Sequence, residues 1–198
     1  MKYQEALAWL EELSRFGIQL GLRRMERLAQ LLGNPERRYR IVHVTGTNGK
    51  GSVSAMMAAA LSRCGIATGL YTSPHLVSYT ERMGINGRAI SEADFARTLT
   101  RVRQAVETMT AAGPTQFEVL TAQAFLWFAE EKTEYAVVEV GLGGLLDSTN
   151  IIFPDLTIIT NVTLEHADRC GGTLEGVARH KAGIIKEGVP VVTAARGM

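Results

Sequence analysis

Leu7, Leu10, Leu13 and Phe16 recur near a helical period at the start of the chain, and Leu22, Met25, Leu28, Leu31 and Leu32 repeat the pattern. Gly33 and Pro35 follow in the order that ends a helix. The texture then changes. Ile41, Val42, His43 and Val44 form a short β-rich run, followed by a glycine-rich stretch over 46–52 and a small-residue helix from Val53 to Cys64, closed by Gly65. Ala67 to Tyr71 reads as a second buried strand, so the unit is strand, helix, strand, which implies a parallel sheet covered by helices. Asn86-Gly87 marks a turn. Ser91 with Asp94 resembles a capping box, and Phe95, Leu99, Val102, Val106 and Met109 follow it along one helical face. Phe117 to Glu130 is apolar almost all round, which predicts a largely buried helix. Three further runs, Tyr135–Val140, Leu156–Asn161 and Val189–Thr193, predict strands buried on both faces.

Composition narrows the class. The 198 residues suit one domain or slightly more, at about 150 residues per domain. With 21 Lys and Arg against 20 Asp and Glu, the net charge of +1 argues against broad electrostatic capture of nucleic acid or an anionic membrane. Cys64 and Cys170 make neither a disulfide framework nor a zinc site. No apolar run reaches the roughly 18 residues of a membrane span, and the first residues lack a signal-peptide core. The chain reads as reduced, soluble and cytoplasmic. Glycine, at 20, is the one unusual count, and its placement leads to the chemistry.

The stretch Gly46-Thr47-Asn48-Gly49-Lys50-Gly51-Ser52 lies between a strand and a helix. Its glycines permit close backbone approach to an anion. Successive N–H groups and the helix N-terminus then favour phosphate oxygens. Lys50 is placed to reach the β- and γ-phosphates, and Ser52 to contact phosphate or its Mg²⁺. The strict pattern G-x-x-x-x-G-K-[ST] is not met, because Val44 takes its first position and Gly51 its last. Glu139 ends an apolar strand beside this loop, where a Mg²⁺ ligand is expected. On the helix starting near Thr173, Leu174, Val177 and Ala178 form the inward stripe, and Lys181 continues it where a hydrophobe is expected. A lysine there must be paired, snorkel outward or be chemically altered. Gly141-Leu142-Gly143-Gly144 lacks the spacing of a dinucleotide fingerprint and reads as a backbone turn near the substrate.

The variant loop resembles that of the folylpolyglutamate synthase/dihydrofolate synthase family, a branch of the Mur-ligase-type amide ligases. Other segments agree in order: Gly33-Asn34-Pro35, Thr72-Ser73-Pro74-His75-Leu76, Glu81-Arg82, Phe117-Glu118, Glu139 to Gly144, Asp147, Thr149-Asn150, Thr160-Asn161, His166 and His180 to Lys186. The resemblance implies an α/β fold, a P-loop three-layer sandwich with a mostly parallel sheet, like the Mur ligase central domain. A helical segment over about 1–38 would precede an α/β part over about 39–198. Against the family the chain is roughly half a protein, without the C-terminal glutamate-binding domain. That suggests an unpaired sheet edge and self-association, although the family is mostly monomeric.

The resemblance further implies ATP and two Mg²⁺ sites. Ser73, Glu139 and His166 would hold one metal, and Lys181, carbamylated by carbon dioxide, would hold the second. Lys50, Lys181 and His166 would be catalytic, while Arg82, Phe117, Glu118, Asp147 and Ser148 would bind the pterin-bearing substrate. The implied reaction transfers the γ-phosphate to the carboxylate of dihydropteroate or a folate. L-Glutamate then attacks the acyl phosphate to form an amide. Leu145 stands where the family usually has Arg, Glu165 for Asp, Cys170 for Leu and His180 for Glu. The rival reading is a nucleotide-binding fragment that ligates nothing. An ordinary P-loop kinase or GTPase fits poorly with the Gly-Lys-Gly-Ser order. The choice among dihydrofolate synthase, folylpolyglutamate synthase and a bifunctional enzyme stays open.

Overall fold

Strands Arg40–Thr45 (β1) and Tyr135–Glu139 (β5) carry apolar residues on both sides, and a separate core forms on each face of the sheet they share. Ile41, Ala136 and Val138 belong to one core, Val42, Val44 and Val137 to the other. This period-two division is what strands covered on both faces require. The computed structural model describes residues 1–110, 113–164, 170 and 172–195. His166 therefore lies outside the described residues, as does Glu165.

Helix Lys50–Arg63 (α3) covers the face of Val42 and Val44, through Val53, Met57, Ala58 and Leu61. The opposite face carries Gln116–Glu130 (α5), and outside it Tyr3–Glu12 (α1), Arg23–Leu31 (α2) and Glu92–Glu107 (α4). Lying between sheet and outer helices, α5 is buried from Glu118 to Phe128, as its all-round apolar sequence predicts. Ala6, Leu10, Met25 and Leu28 join Phe95, Leu99, Phe125 and Phe128 in one cluster, so the N-terminal helices share the core of the α/β part. Each fully buried phenylalanine there is worth about 2–3 kcal/mol.

The remaining strands are Thr68–Tyr71 (β2), Met83–Ile85 (β3), Arg88–Ala89 (β4), Leu156–Ile159 (β6) and Val191–Thr193 (β7). The sheet order is β4-β3-β2-β5-β1-β6-β7; β2, β5, β1, β6 and β7 run parallel and β3 and β4 antiparallel. β5 thus inserts between the two strands of the first strand–helix–strand unit. The Asn86-Gly87 turn joins β3 to β4 with φ of 50° and 76°, the positive values that a two-residue hairpin of this kind needs. Two expectations are corrected. β7 is exposed at all three residues, because it lies at the sheet edge. Helix α3 begins at Lys50, not Val53, because Gly49 at φ 79° lets the loop turn directly into the helix.

Candidate functional site

The carboxyl ends of β1, β5 and β6 lie side by side, which brings the loops that follow them together. Loop 46–49 is held from the side by residues beyond β6. A Cβ at Gly46 would stand 1.8 Å from Thr160 Oγ1, and its φ is +150°, so only glycine fits. Thr160 Oγ1 donates to Asn48 O at 2.7 Å. Asn161 Oδ1 accepts from the N–H of Thr47 at 3.1 Å and of Asn48 at 2.9 Å. Thr47 Oγ1 accepts from Thr163 N and donates to Thr163 O. Lys50 Nζ folds back onto Thr47 O at 3.1 Å. The first turn of α3, at Lys50, Gly51 and Ser52, carries no side-chain cap. Its N–H groups and the positive end of the helix dipole are the features that receive phosphate.

Glu139, the last residue of β5, is buried beside that turn. A Cβ at Gly51 would come within 3.6 Å of its carboxylate, and Ser73 N donates to Glu139 Oε2 at 3.1 Å. Burial pushes the Glu139 carboxyl above the ordinary glutamate value, and Asp147 adds to this. The Ser73 N–H and the Lys50 ammonium pull the other way. Two of the three expected metal ligands, Ser73 and Glu139, are therefore adjacent. Their hard oxygens suit Mg²⁺. Lys181 lies on Leu174–Ala182 (α6), buried with Val177 as the stripe predicts. It lines a polar cavity of about 70 Å³ together with Gly46, Thr47, Lys50, Gly143 and Cys170. Amides, Lys50 and a nearby carboxylate fit a triphosphate with its divalent ion.

A second, larger cavity of about 550 Å³ lies beside the first. Phe117 forms part of its wall, 6.2 Å from the Tyr71 ring, and packs so closely on Gly141 that a Cβ there would stand 2.5 Å from Cζ. That contact, not phosphate, explains the first glycine of Gly141-Leu142-Gly143-Gly144. Arg82 lines the cavity with Nε donated to His75 Nδ1 at 2.8 Å and its guanidinium over Tyr79. Ser148 Oγ lies 3.4 Å from Thr121 Oγ1.

The two carboxylates assigned to substrate are largely engaged by the fold. Glu118 closes the capping box of α5, accepting from Thr115 N at 2.7 Å, and receives Arg24 Nε at 3.1 Å and 3.2 Å. Asp147 accepts from Leu142 N, Thr149 N and Thr149 Oγ1, and burial raises its carboxyl above the ordinary value. Because the Thr149 hydroxyl hydrogen goes to Asp147, His43 must donate from Nε2 to Thr149 Oγ1 (2.9 Å). Burial, with Lys186 nearby, holds His43 neutral, its pKa lowered to about 3.

Arg24 has no signal in the sequence, since its partner is 94 residues away. It also donates to Gln19 O at 2.9 Å, holding the segment of Ile18, Gln19 and Leu20 that walls the cavity. Leu145, the departure from the family's arginine, is 42% exposed and packs against Gly183. Lys50, Gly141 and Leu142 line both cavities, so the small polar cavity and the larger, mainly apolar one meet at the lysine.

A family model described as the Mur ligase middle domain matches residues 44–194. The chain is 44% identical over 196 residues to the dihydrofolate synthase/folylpolyglutamate synthase of Bacillus subtilis, covering 97% of this chain and 46% of that protein. It is 40% identical over 197 residues to the folylpolyglutamate synthase of Lacticaseibacillus casei, covering 98% and 46%. Among solved structures, an FPGS–AMPPCP–folate complex matches with a TM-score of 0.91 at 40% identity, over 98% of this chain and 48% of that one. E. coli FolC in complex with DHPP and ADP matches at 0.89 and 33%, over 95% and 45%. The chain spans about half the length of the curated relatives it matches.

Proposed function

The chain belongs to the Mur ligase middle domain family, and on that premise we propose that it is the nucleotide-binding part of an ATP-dependent ligase that joins L-glutamate to dihydropteroate or a folate. The observation that carries this reading is the position of Lys50, shared by the small polar cavity and the larger apolar one. A γ-phosphate in the first and a substrate carboxylate at the inner end of the second would meet at its ammonium. Relatives solved with AMPPCP and folate, and with DHPP and ADP, support the same pairing of ligands.

In this reading the first-turn amides of α3 and Lys50 hold the triphosphate in line with the incoming carboxylate. Carboxylate oxygen attacks the γ-phosphorus, ADP leaves, and the acyl phosphate so formed is attacked by the glutamate amine. Phosphate departs as the amide forms. Glu139, Ser73 and His166 would hold one Mg²⁺, and a carbamate on Lys181 a second. When bound, these ions would neutralise charge on the phosphoryl oxygens. Phe117 offers its ring to a flat pterin, with Arg82 and Ser148 at the wall. Glu118 and Asp147 act there chiefly by shaping the pocket. A cytoplasmic location accords with this chemistry; among the described residues no helix is long and apolar enough to cross a membrane.

The test is glutamate-dependent ADP release with dihydropteroate, together with calorimetric titration of MgATP. Lys50→Ala should lower turnover at least a hundredfold, as loss of a principal phosphate-positioning group does. Turnover unaffected by Lys50→Ala would refute the assignment. MgATP binding without turnover would identify a nucleotide-binding fragment instead. A mass increase of one carbon dioxide at Lys181 checks the carbamate.

A further inference from the structure

The residues that grip the phosphate loop most directly belong to neither the loop nor its helix. Thr160 and Asn161 follow β6, and Thr160 N–H extends the sheet by donating to Thr45 O at 2.9 Å. From that fixed point Asn161 places one oxygen, Oδ1, on two consecutive amides, those of Thr47 and Asn48. One acceptor on successive N–H groups is the arrangement by which a backbone nest holds an anion oxygen. Here a neutral side chain of the protein takes that place.

The consequence runs along the chain to Lys50. The peptide between Thr47 and Asn48 is pinned on both edges, its N–H on Asn161 Oδ1 and its C=O on Lys50 Nζ at 3.1 Å. The next carbonyl, Asn48 O, is held by Thr160 Oγ1 at 2.7 Å. Meanwhile the first-turn amides of α3 have no side-chain cap. The loop is thus divided into amides the protein satisfies itself and amides it leaves for a ligand. An amide side chain also suits the place better than a carboxylate, which would set a negative charge beside the phosphates.

We propose that Thr160 and Asn161 are positioning residues of the nucleotide site: they withdraw the Thr47 and Asn48 amides from the ligand and fix the loop, so that Lys50 and the first-turn amides of α3 meet the triphosphate. This rests on the phosphate reading of the loop and deepens it. Asn161→Ala leaves the Thr47–Asn48 peptide held on one edge only. Loss of the Asn48 bond, and of the side-chain share of the Thr47 one, from a preorganised site corresponds to about a tenfold weaker MgATP affinity.

The experiment combines calorimetric MgATP titration, thermal melting and residue-resolved amide exchange on wild type, Asn161→Ala, Thr160→Val and Thr160→Ser. Asn161→Ala should bind MgATP about tenfold more weakly, melt like wild type, and lose exchange protection at Asn48, while Thr47 keeps its bond to the main-chain oxygen of residue 161 at 3.1 Å. Thr160→Ser, which keeps the hydroxyl, should bind like wild type, and Thr160→Val should not. In wild type, MgATP should slow exchange at Lys50, Gly51 and Ser52 and leave Thr47 and Asn48 as they were. Wild-type affinity in Asn161→Ala, or affinity lost only in step with melting, overturns the inference while the phosphate reading stands. Displacement of Asn161 by MgATP, seen as altered protection at Thr47 and Asn48, also overturns it. No MgATP binding by wild type overturns both.

Discussion

Glu139 shows how a single buried carboxylate makes stability depend on pH. A buried carboxylate with its pKa raised by desolvation binds a proton more tightly in the folded chain than in the unfolded one. The sign of the linkage follows. Folded protein holds more protons just above the ordinary glutamate value, so stability falls as pH rises through that window and is greatest below it. Glu36 and Asp147 are shifted the same way, also chiefly by burial, and add to the slope. Glu139→Gln keeps an acceptor for Ser73 N and removes the charge. It is expected to reduce the pH dependence of the melting temperature in the window just above the ordinary glutamate value, to melt higher than wild type at neutral pH, and to weaken Mg²⁺ binding. Melting curves across pH with and without Mg²⁺ decide it. An unchanged slope would show that the charge of Glu139 is already compensated.

Among elements, the join between α2 and α5 combines the apolar packing of Met25 and Leu28 with one largely buried ion pair, Arg24 on Glu118. Glu118 is almost fully buried, with a side-chain exposure of 3%, while that of Arg24 is 22%. Removing the guanidinium strands a carboxylate where water scarcely reaches, which costs about 2–4 kcal/mol. Arg24→Met should therefore unfold at clearly lower denaturant. Glu118→Gln, which still accepts from Thr115 N, should recover most of the loss in the double variant. A chemical-denaturation cycle over the four proteins measures the coupling, and additive losses would mean the pair does not act as one. Because Arg24 also holds Gln19 O, the single variant should in addition loosen the cavity wall and weaken binding of the proposed folate substrate more than that of MgATP.

For the whole molecule, the sheet edges are treated differently. At one edge β4 is two residues long and begins with Arg88, a short charged strand that resists pairing. At the other, β7 presents Val191 and Val192, 38% and 56% exposed. An apolar edge of this kind is expected to recruit a second copy through open backbone groups. Sedimentation should show concentration-dependent association. Val192→Lys should suppress it while changing stability by no more than about 0.5 kcal/mol, as befits an exposed position. A wild-type chain that sediments as a monomer throughout would dispose of the idea.

How much was legible follows from the range of each interaction. Local pattern was enough for the strand–loop–helix around Lys50, the buried α5 and the Asn86-Gly87 turn, because periodicity and glycine conformations are set by near neighbours. The inward stripe of α6 was enough to bury Lys181. The fate of β7 was not: its apolar sequence matches that of a central strand, and only its place at the edge exposes it. Nor were Arg24 on Glu118, Asn161 on the loop amides, or Phe117 against Gly141, since each partner is brought in from a distant segment. The sequence alone determined which residues carry charge, hydroxyl or ring, and so the chemistry available to the chain. The tertiary structure decided which of those groups also hold the fold, as Glu118 and Asp147 do while lining the larger cavity. It also decided which are left facing a cavity, because a hydrogen bond made inside the protein is no longer available to a ligand.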